Sequence, residues 1–379
     1  MKRILFILHY PPPVHGSSVM GQSIKESKLS NNSFSCAYVN LSTSRTLDEV
    51  GKKSFKKVSR YIVIIYKVFK QILLNRPHLC YFAITVNGLP FKKDAFVALL
   101  IKFFGIKIIY HFHNKGVSTH QHNLIDNFLY HRVFKNSKGI LLSEHLYYDV
   151  KKYIPKDKIY ICPNGISDIR TVDFDDVEIK ENRNTHNSSP VRILFLSNLL
   201  EAKGVFVLLN ACKILQQKEL SFKCTFVGAE GNISAEQFQQ KVDQLNLADQ
   251  VEYVGKKFGI EKEEMFAKSD LFVLPTENET FGLVNLEAMQ HSLPVVSTCE
   301  GGIPDVVEDT ITGYLVPKKD SYALAEKIEI LIKNPDLRTK MGKAGREKYE
   351  KEFTLQAFET NLLNIFNQVL NESNTLDTH

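Results

Sequence analysis

Leu274-Pro275-Thr276-Glu277-Asn278-Glu279-Thr280-Phe281-Gly282-Leu283-Val284-Asn285-Leu286-Glu287-Ala288 is the stretch on which the reading of this chain turns. It closes a short apolar run, 271–274, that Pro275 bounds, and such a run reads as a buried strand. The polar residues up to Thr280 read as a loop, and a helix starts near Gly282. A helix N-terminus offers backbone N–H groups without internal partners and the positive end of a dipole, which suits a phosphate. Glu279 sits just before that helix and Glu287 lies about one turn into it. Two carboxylates flanking an anion site are electrostatically odd unless they bind hydroxyls. An ionised carboxylate only accepts hydrogen bonds, and sugar hydroxyls are natural donors to it. The plainer alternative is two solvated surface acids.

Outward from this stretch the same rhythm repeats. Residues 191–196, 222–227, 251–254 and 295–297 read as further strands, with helices near 205–216, 235–245, 262–267 and 283–290. After 314–316 the chain is mostly helical to about 370. Upstream, strands fit 2–8, 35–39, 78–84, 107–112, 139–142 and 158–161, with helical segments near 19–29, 54–74, 91–104, 124–134 and 144–152. Such alternation predicts βαβ units and parallel sheets covered on both faces. Residues 171–190 are acidic and then rich in Asn, Ser and Thr, which reads as a linker. The expected architecture is α/β, with two Rossmann-like doubly wound domains and a ligand cleft between them. The boundaries are 1–170, linker 171–190, 191–352, and a C-terminal helix at 353–371 packing back on the first domain. In such sheets ligands sit outside the carboxyl ends of the strands, so the loops after strands are where chemistry is sought.

Several of those loops share a pattern. Glu279 to Glu287 resembles the Glu-x7-Glu motif of family-4 retaining glycosyltransferases with the GT-B fold, the group 1 enzymes of bacterial polysaccharide synthesis. Phe281-Gly282 and Glu287-Ala288-Met289 are in register with it. Ser197-Asn198-Leu199-Leu200-Glu201-Ala202-Lys203-Gly204 looks like the family's Gly-Arg-Leu…Lys-Gly loop. Glu300-Gly301-Gly302-Ile303-Pro304-Asp305-Val306 resembles its Gly-Gly-x-Pro-Glu-Val loop, and Cys162-Pro163-Asn164-Gly165-Ile166 its Pro-Asn-Gly turn. The loop 9–18 is similar to a glycine-pair loop, with Gly16 matching and Ser17 in place of the second glycine. The likeness spans most of the chain and is weakest at 41–76 and 171–190.

The resemblance implies roles. Lys203 matches the lysine on the donor diphosphate, and a lysine at a strand's carboxyl end beside a helix start suits a pyrophosphate. Asn198 stands where the family usually has Arg, so one of two expected cations is missing. Phe281, Gly282, Leu283 and Val284 would meet the donor at the helix start, with Gly16 and Ser17 from the first domain. Glu279 would orient the donor sugar and Glu287 would hold ribose hydroxyls. Lys257, in the loop after strand 251–254, would lie against the base. His113 looks like the histidine that lines the reaction centre, so His113, Glu279 and Lys203 form the implied catalytic set. The family works without a divalent ion, so no metal and no resident cofactor are expected; the nucleotide sugar is a substrate. A metal cluster of His113, His120 and His122 is conceivable, but no carboxylate shares the stretch and the spacing is not His-Glu-x-x-His. The alternatives are another GT-B enzyme, such as a sugar-nucleotide epimerase or phosphorylase, and a non-catalytic sugar-nucleotide-binding protein.

Charge adds a second theme. The 379 residues carry a formal net charge of +6. Residues 1–180 hold 27 Lys and Arg against 13 Asp and Glu, and the remainder holds 21 against 29. The first half is therefore basic and suits an anionic partner. Eight of its cations (Lys52, Lys53, Lys56, Lys57, Arg60, Lys67, Lys70 and Arg76) fall within 51–76, a stretch without any acid. Interleaved apolar residues make it a basic amphipathic helix suited to anionic lipid head groups. A nucleic-acid site is not expected, because these aromatics fit a helix face better than a stacking platform. The apolar fraction of 44% excludes a disordered chain. The six cysteines form no Cys-x-x-Cys pair and read as reduced thiols of a cytosolic protein. Pro11-Pro12-Pro13 cuts the first apolar run too short for a signal peptide. The expected partners are thus a nucleotide-diphosphate sugar and a glycan or lipid-linked acceptor. The expected place is the cytoplasm, peripheral on the inner face of its membrane.

Overall fold

The structure, a computed structural model, describes residues 1–12, 16–43, 55–168 and 190–376. The expected linker, except Pro190, and the first four residues of the basic stretch lie outside these. The chain divides into two units: Met1–Gly165 with Leu355–His379, and Ile166–Thr354.

The first unit holds six strands: β1 (Arg3–Leu8), β2 (Ser35–Asn40), β3 (Leu79–Ala83), β4 (Ile108–Phe112), β5 (Lys138–Leu141) and β6 (Ile159–Ile161). They lie in the order β2-β1-β3-β4-β5-β6, every pair parallel. The central strands β3 and β4 are buried at all five positions. That is why they read as unbroken apolar runs rather than alternations. The helix Leu355–Leu376 belongs to this unit. Its Phe366 is fully buried and packs edge-on against Phe6, Phe34 and Tyr81, with centroids 5.7, 6.1 and 5.7 Å away. Burying such a ring stabilises by roughly 2–3 kcal/mol, enough to hold a terminal helix on its sheet.

The second unit holds β7 (Val191–Leu196), β8 (Phe222–Val227), β9 (Val251–Tyr253), β10 (Leu271–Leu274), β11 (Val295–Thr298) and β12 (Gly313–Val316). Their order is β12-β11-β10-β7-β8-β9, again all parallel. Counted from β7 this is 6-5-4-1-2-3, the dinucleotide-binding order read from its far edge. Strand order reverses between β7 and β10, so the loops leaving these two strands diverge to opposite faces and leave a crevice at their carboxyl ends. In the core Phe195 packs tilted against Phe226 at 4.9 Å, and Phe226 packs edge-on against Phe238 at 4.8 Å. Of the cysteines, Cys80, Cys162, Cys212 and Cys224 are buried, Cys36 is half-buried and Cys299 exposed; all six are free.

Candidate active site

The loops that leave β7 and β10 interlock. Gly204 ends the β7 loop in the left-handed region, φ 79°. A Cβ there would run into the Pro275 carbonyl of the β10 loop, so only glycine lets the two backbones meet. The Ala202 carbonyl accepts from Glu277 N at 2.8 Å and from Thr276 Oγ1 at 3.1 Å. This contact brings together two residues 76 apart in sequence: Lys203 Nζ donates to Glu279 Oε2 at 2.7 Å, both side chains 21% exposed. Glu279 Oε1 also accepts from Thr280 N at 2.9 Å. The β11 loop closes on the same residue. Gly301, at φ 57°, has no room for a Cβ beside the Glu279 carbonyl, and Gly302 N donates to Thr280 O at 2.8 Å. Buried hydroxyls tie the strand ends below: Ser297 Oγ to Leu274 O at 2.7 Å and Thr298 Oγ1 to Thr276 O at 2.6 Å.

Phe281 is buried and anchors the loop, and Gly282, at φ 81°, caps the helix Leu283–Gln290. Leu283 and Val284 stand half-buried at its first turn, where the N–H groups lack helical acceptors. Glu287 projects one turn further. Lys262 Nζ donates to its Oε1 at 3.0 Å and to Glu263 Oε1 at 3.3 Å. Burial raises the Glu287 carboxyl above its ordinary range, with Lys262 opposing. Burial also works against the Lys262 ammonium, but Glu287 and Glu263 outweigh it and hold its pKa above the usual lysine value.

Asn198 is exposed, and its Oδ1 accepts from Ala229 N at 3.2 Å, binding the β7 loop to the β8 loop. Lys257 forms a local ion pair with Glu261 at 3.4 Å. These two residues therefore carry structural contacts of their own, whereas Lys203, Glu279 and the Gly282 helix start form one cluster.

In the first unit the relevant residues gather at the carboxyl ends of β1, β3 and β4. Gly16 and Ser17 open the helix Gly16–Glu26. That helix approaches so closely that a Cβ on Gly21 would collide with the His9 carbonyl. His113 follows β4, and burial pushes its imidazole down to about 4. The His111 ring packs against it, tilted by 35° with centroids 4.1 Å apart, and burial also holds that ring neutral. Tyr81 OH lies 2.6 Å from His111 Nδ1. The His113 loop is fixed by Asp149, whose carboxylate accepts from Gly116 N, Val117 N, Ser118 N and Ser118 Oγ at 2.7–3.1 Å. Sequence reasoning missed His111, Tyr81, Asp149 and Lys262. The His-Phe-His alternation at the end of a strand puts His111 and His113 on one face and was a usable signal; the others, 25 to 33 residues from their partners, had none. Among the described residues no His, Cys, Asp and Glu side chains gather in a group that could hold a metal ion.

Two doubly wound units of parallel strands, with a Lys–Glu pair and a glycine-capped helix at the reversal point of the second, form the α/β architecture of the GT-B fold. Residues 176–348 match the family of glycosyl transferases group 1. The amylovoran biosynthesis glycosyltransferase AmsK of Erwinia amylovora is 28% identical over 338 residues, 81% of this chain and 80% of that protein. The capsular polysaccharide biosynthesis glycosyltransferase CapM of Staphylococcus aureus is 31% identical over 179 residues, 47% of this chain and 46% of that one. Among solved structures, Anabaena HepE in complex with UDP superimposes with a TM-score of 0.74 at 17% identity, covering 97% of this chain and all of that one.

Proposed function

We propose that this chain is a group 1 glycosyltransferase that moves a sugar from a nucleotide-diphosphate donor, with retention of anomeric configuration, to a lipid-linked glycan acceptor in surface polysaccharide synthesis. The observation that carries the reading is the Lys203–Glu279 pair set against the Gly282-capped helix at the β7/β10 reversal. The names of AmsK and CapM support the polysaccharide, and the UDP held by HepE supports a nucleoside diphosphate.

The barrier to such a transfer is the departure of the nucleoside diphosphate. Charge grows on its β-phosphate as the sugar becomes oxocarbenium-like, so fixed dipoles and a cation aimed there lower the barrier more than ground-state contacts do. Lys203 and the free N–H groups around Leu283 and Val284 supply them, with the backbone of Gly16 and Ser17 as the first unit's share. Phe281 and Gly282 shape the helix start. Asn198 keeps the β7 loop in place and leaves Lys203 as that loop's cation on the phosphates; Lys257 lies by the base. Glu279 is engaged by Lys203. A diphosphate that takes the ammonium releases the carboxylate to accept from sugar hydroxyls, so donor binding exchanges one partner for another. Glu287 accepts from the ribose. His113, neutral through burial, serves the transferred sugar by hydrogen bonding rather than by charge. The reaction runs without a metal or resident cofactor.

The helix Phe55–Asn75 supports a peripheral site on the inner face of the cytoplasmic membrane. Its buried residues are Ile64, Val68 and Ile72. Phe55 (88% exposed), Ile62 and Tyr66 face outward beside Lys56, Lys67 and Lys70. No helix among the described residues is long and apolar enough to cross a membrane. Incubation with UDP-, GDP-, ADP- and dTDP-sugars, a lipid-linked acceptor and EDTA tests the activity. A glycosylated lipid is expected; hydrolysis or epimerisation of the donor without acceptor, or strict need for a metal, would contradict it.

A further inference from the structure

Glu287 does not stand alone. Lys262, at the start of the helix Ile260–Ala267, bridges Glu287 Oε1 (3.0 Å) and Glu263 Oε1 (3.3 Å). Glu263 Oε2 in turn meets His291 Nε2 at 2.9 Å. The His291 ring lies flat on Phe266, centroids 5.3 Å apart and planes within 10°, and Phe266 is fully buried. The Glu263 side chain is 6% exposed, whereas Lys262 and Glu287 are each 22% exposed. The chain of contacts thus runs from a rigid core ring out to a carboxylate at the surface. Lys262 is the side-chain partner of Glu287 among the described residues, and it takes one oxygen only. Glu287 Oε2 accepts from no described side chain.

We propose that Lys262 is a positioning residue for the nucleotide: through Glu263, His291 and Phe266 it fixes the Glu287 carboxylate with Oε2 directed at the ribose diol. This rests on the reading of Glu287 as the ribose-binding residue. A carboxylate with one oxygen pinned by an ammonium has lost its rotational freedom before the ligand arrives, and that pre-organisation raises affinity. The pair is also self-consistent in charge. Burial of Glu287 favours its protonated form, which would be a poorer acceptor, and the neighbouring ammonium opposes this. Glu263 would otherwise be a second buried acid beside Glu287; His291 and Lys262 together hold it ionised against its burial.

The test is nucleotide binding by calorimetry. Wild type is screened with UDP, GDP, ADP and CDP, then with the 2′,3′-dideoxy counterpart of the one it binds. Wild type should prefer the ribose form by about ten-fold or more, the worth of a hydrogen bond to a charged group. Lys262→Met should weaken the ribose form by about ten-fold, leave the dideoxy form nearly unchanged and so erase the preference. Lys262→Arg should keep most of it. Glu263→Gln, which loosens the link between Lys262 and His291, should lower the preference part-way and gives a second reading should the Lys262→Met chain fail to fold. A Lys262→Met protein that weakens both nucleotides equally, or neither, overturns the proposal, as does an undiminished preference in Glu263→Gln. Wild type that binds no nucleoside diphosphate sinks the donor reading itself; wild type that binds but ignores the ribose hydroxyls sinks the role of Glu287, and the proposal with it.

Discussion

Glu279→Gln should move two measurements in opposite directions. Lys203 Nζ and Glu279 Oε2 are 2.7 Å apart with both side chains 21% exposed. A diphosphate can use Lys203 fully only by displacing this carboxylate. Exposed ion pairs hold 0.2–1 kcal/mol, and at this partial burial about 1 kcal/mol is a fair figure. Replacing the carboxylate by an amide removes that competition without removing volume. A bare nucleoside diphosphate, which has no sugar to offer Glu279, should then bind about five-fold tighter. Transfer should fall. Hydrogen bonds from sugar hydroxyls to a carboxylate are worth about 1.5–3 kcal/mol each, and weakening two of them by roughly half costs about 2 kcal/mol in the transition state. That is about a 30-fold drop in kcat/KM. Calorimetry with the nucleoside diphosphate and initial rates with the nucleotide sugar read the two effects on one preparation. Weaker diphosphate binding by the variant, or transfer within three-fold of wild type, would refute the exchange of partners.

Gly204→Ala places a Cβ against the Pro275 carbonyl at φ 79°, so at least about 2 kcal/mol of stability and most activity should go, read from urea unfolding; an unchanged midpoint would contradict the interlock. Asp94 is 5% exposed, its Oδ2 accepts from Thr85 N at 2.9 Å, and burial raises its carboxyl to about 7. Because the folded value lies above the unfolded one of about 4, folding favours the protonated form, and stability is lost as pH rises from about 4 to about 7. Asp94→Asn should therefore lose less stability than wild type between pH 5 and pH 8 in urea titrations, and parallel curves would refute this. Phe55→Ser with Ile62→Ser should abolish co-sedimentation with anionic vesicles at low salt while leaving transfer to a short soluble acceptor intact; equal sedimentation of both proteins would remove the membrane role from this helix.

The sequence was most readable where burial is complete. Runs such as Leu79–Ala83 and Leu271–Leu274 are apolar at every position because both faces of a central parallel strand are covered, so the strands and their order of appearance could be read directly. The loops were readable where backbone geometry demands one residue type, as at Gly204, Gly282 and Gly301. What stayed hidden depends on which loops the sheet order brings together. Lys203 and Glu279 meet because β7 and β10 are neighbours, and nothing local to either residue says so. Lys262 reaches Glu287 from the helix before β10, and Asp149 reaches the Gly116 loop from the one after β5; each is a plain charged residue in its own surroundings. Asn198 reads as a missing cation by comparison, and its hydrogen bond to Ala229 appears only once β7 and β8 are paired.

Donor binding turns on the Lys203–Glu279 pair, so the most direct measurement is a crystal structure with an intact nucleotide sugar. It should place the β-phosphate within hydrogen-bond distance of Lys203 Nζ and of the N–H groups at Leu283 and Val284. Glu279 should have left the ammonium for the hydroxyls of the sugar. A donor bound elsewhere, or one bound while the Lys203–Glu279 contact stays at 2.7 Å, would contradict it.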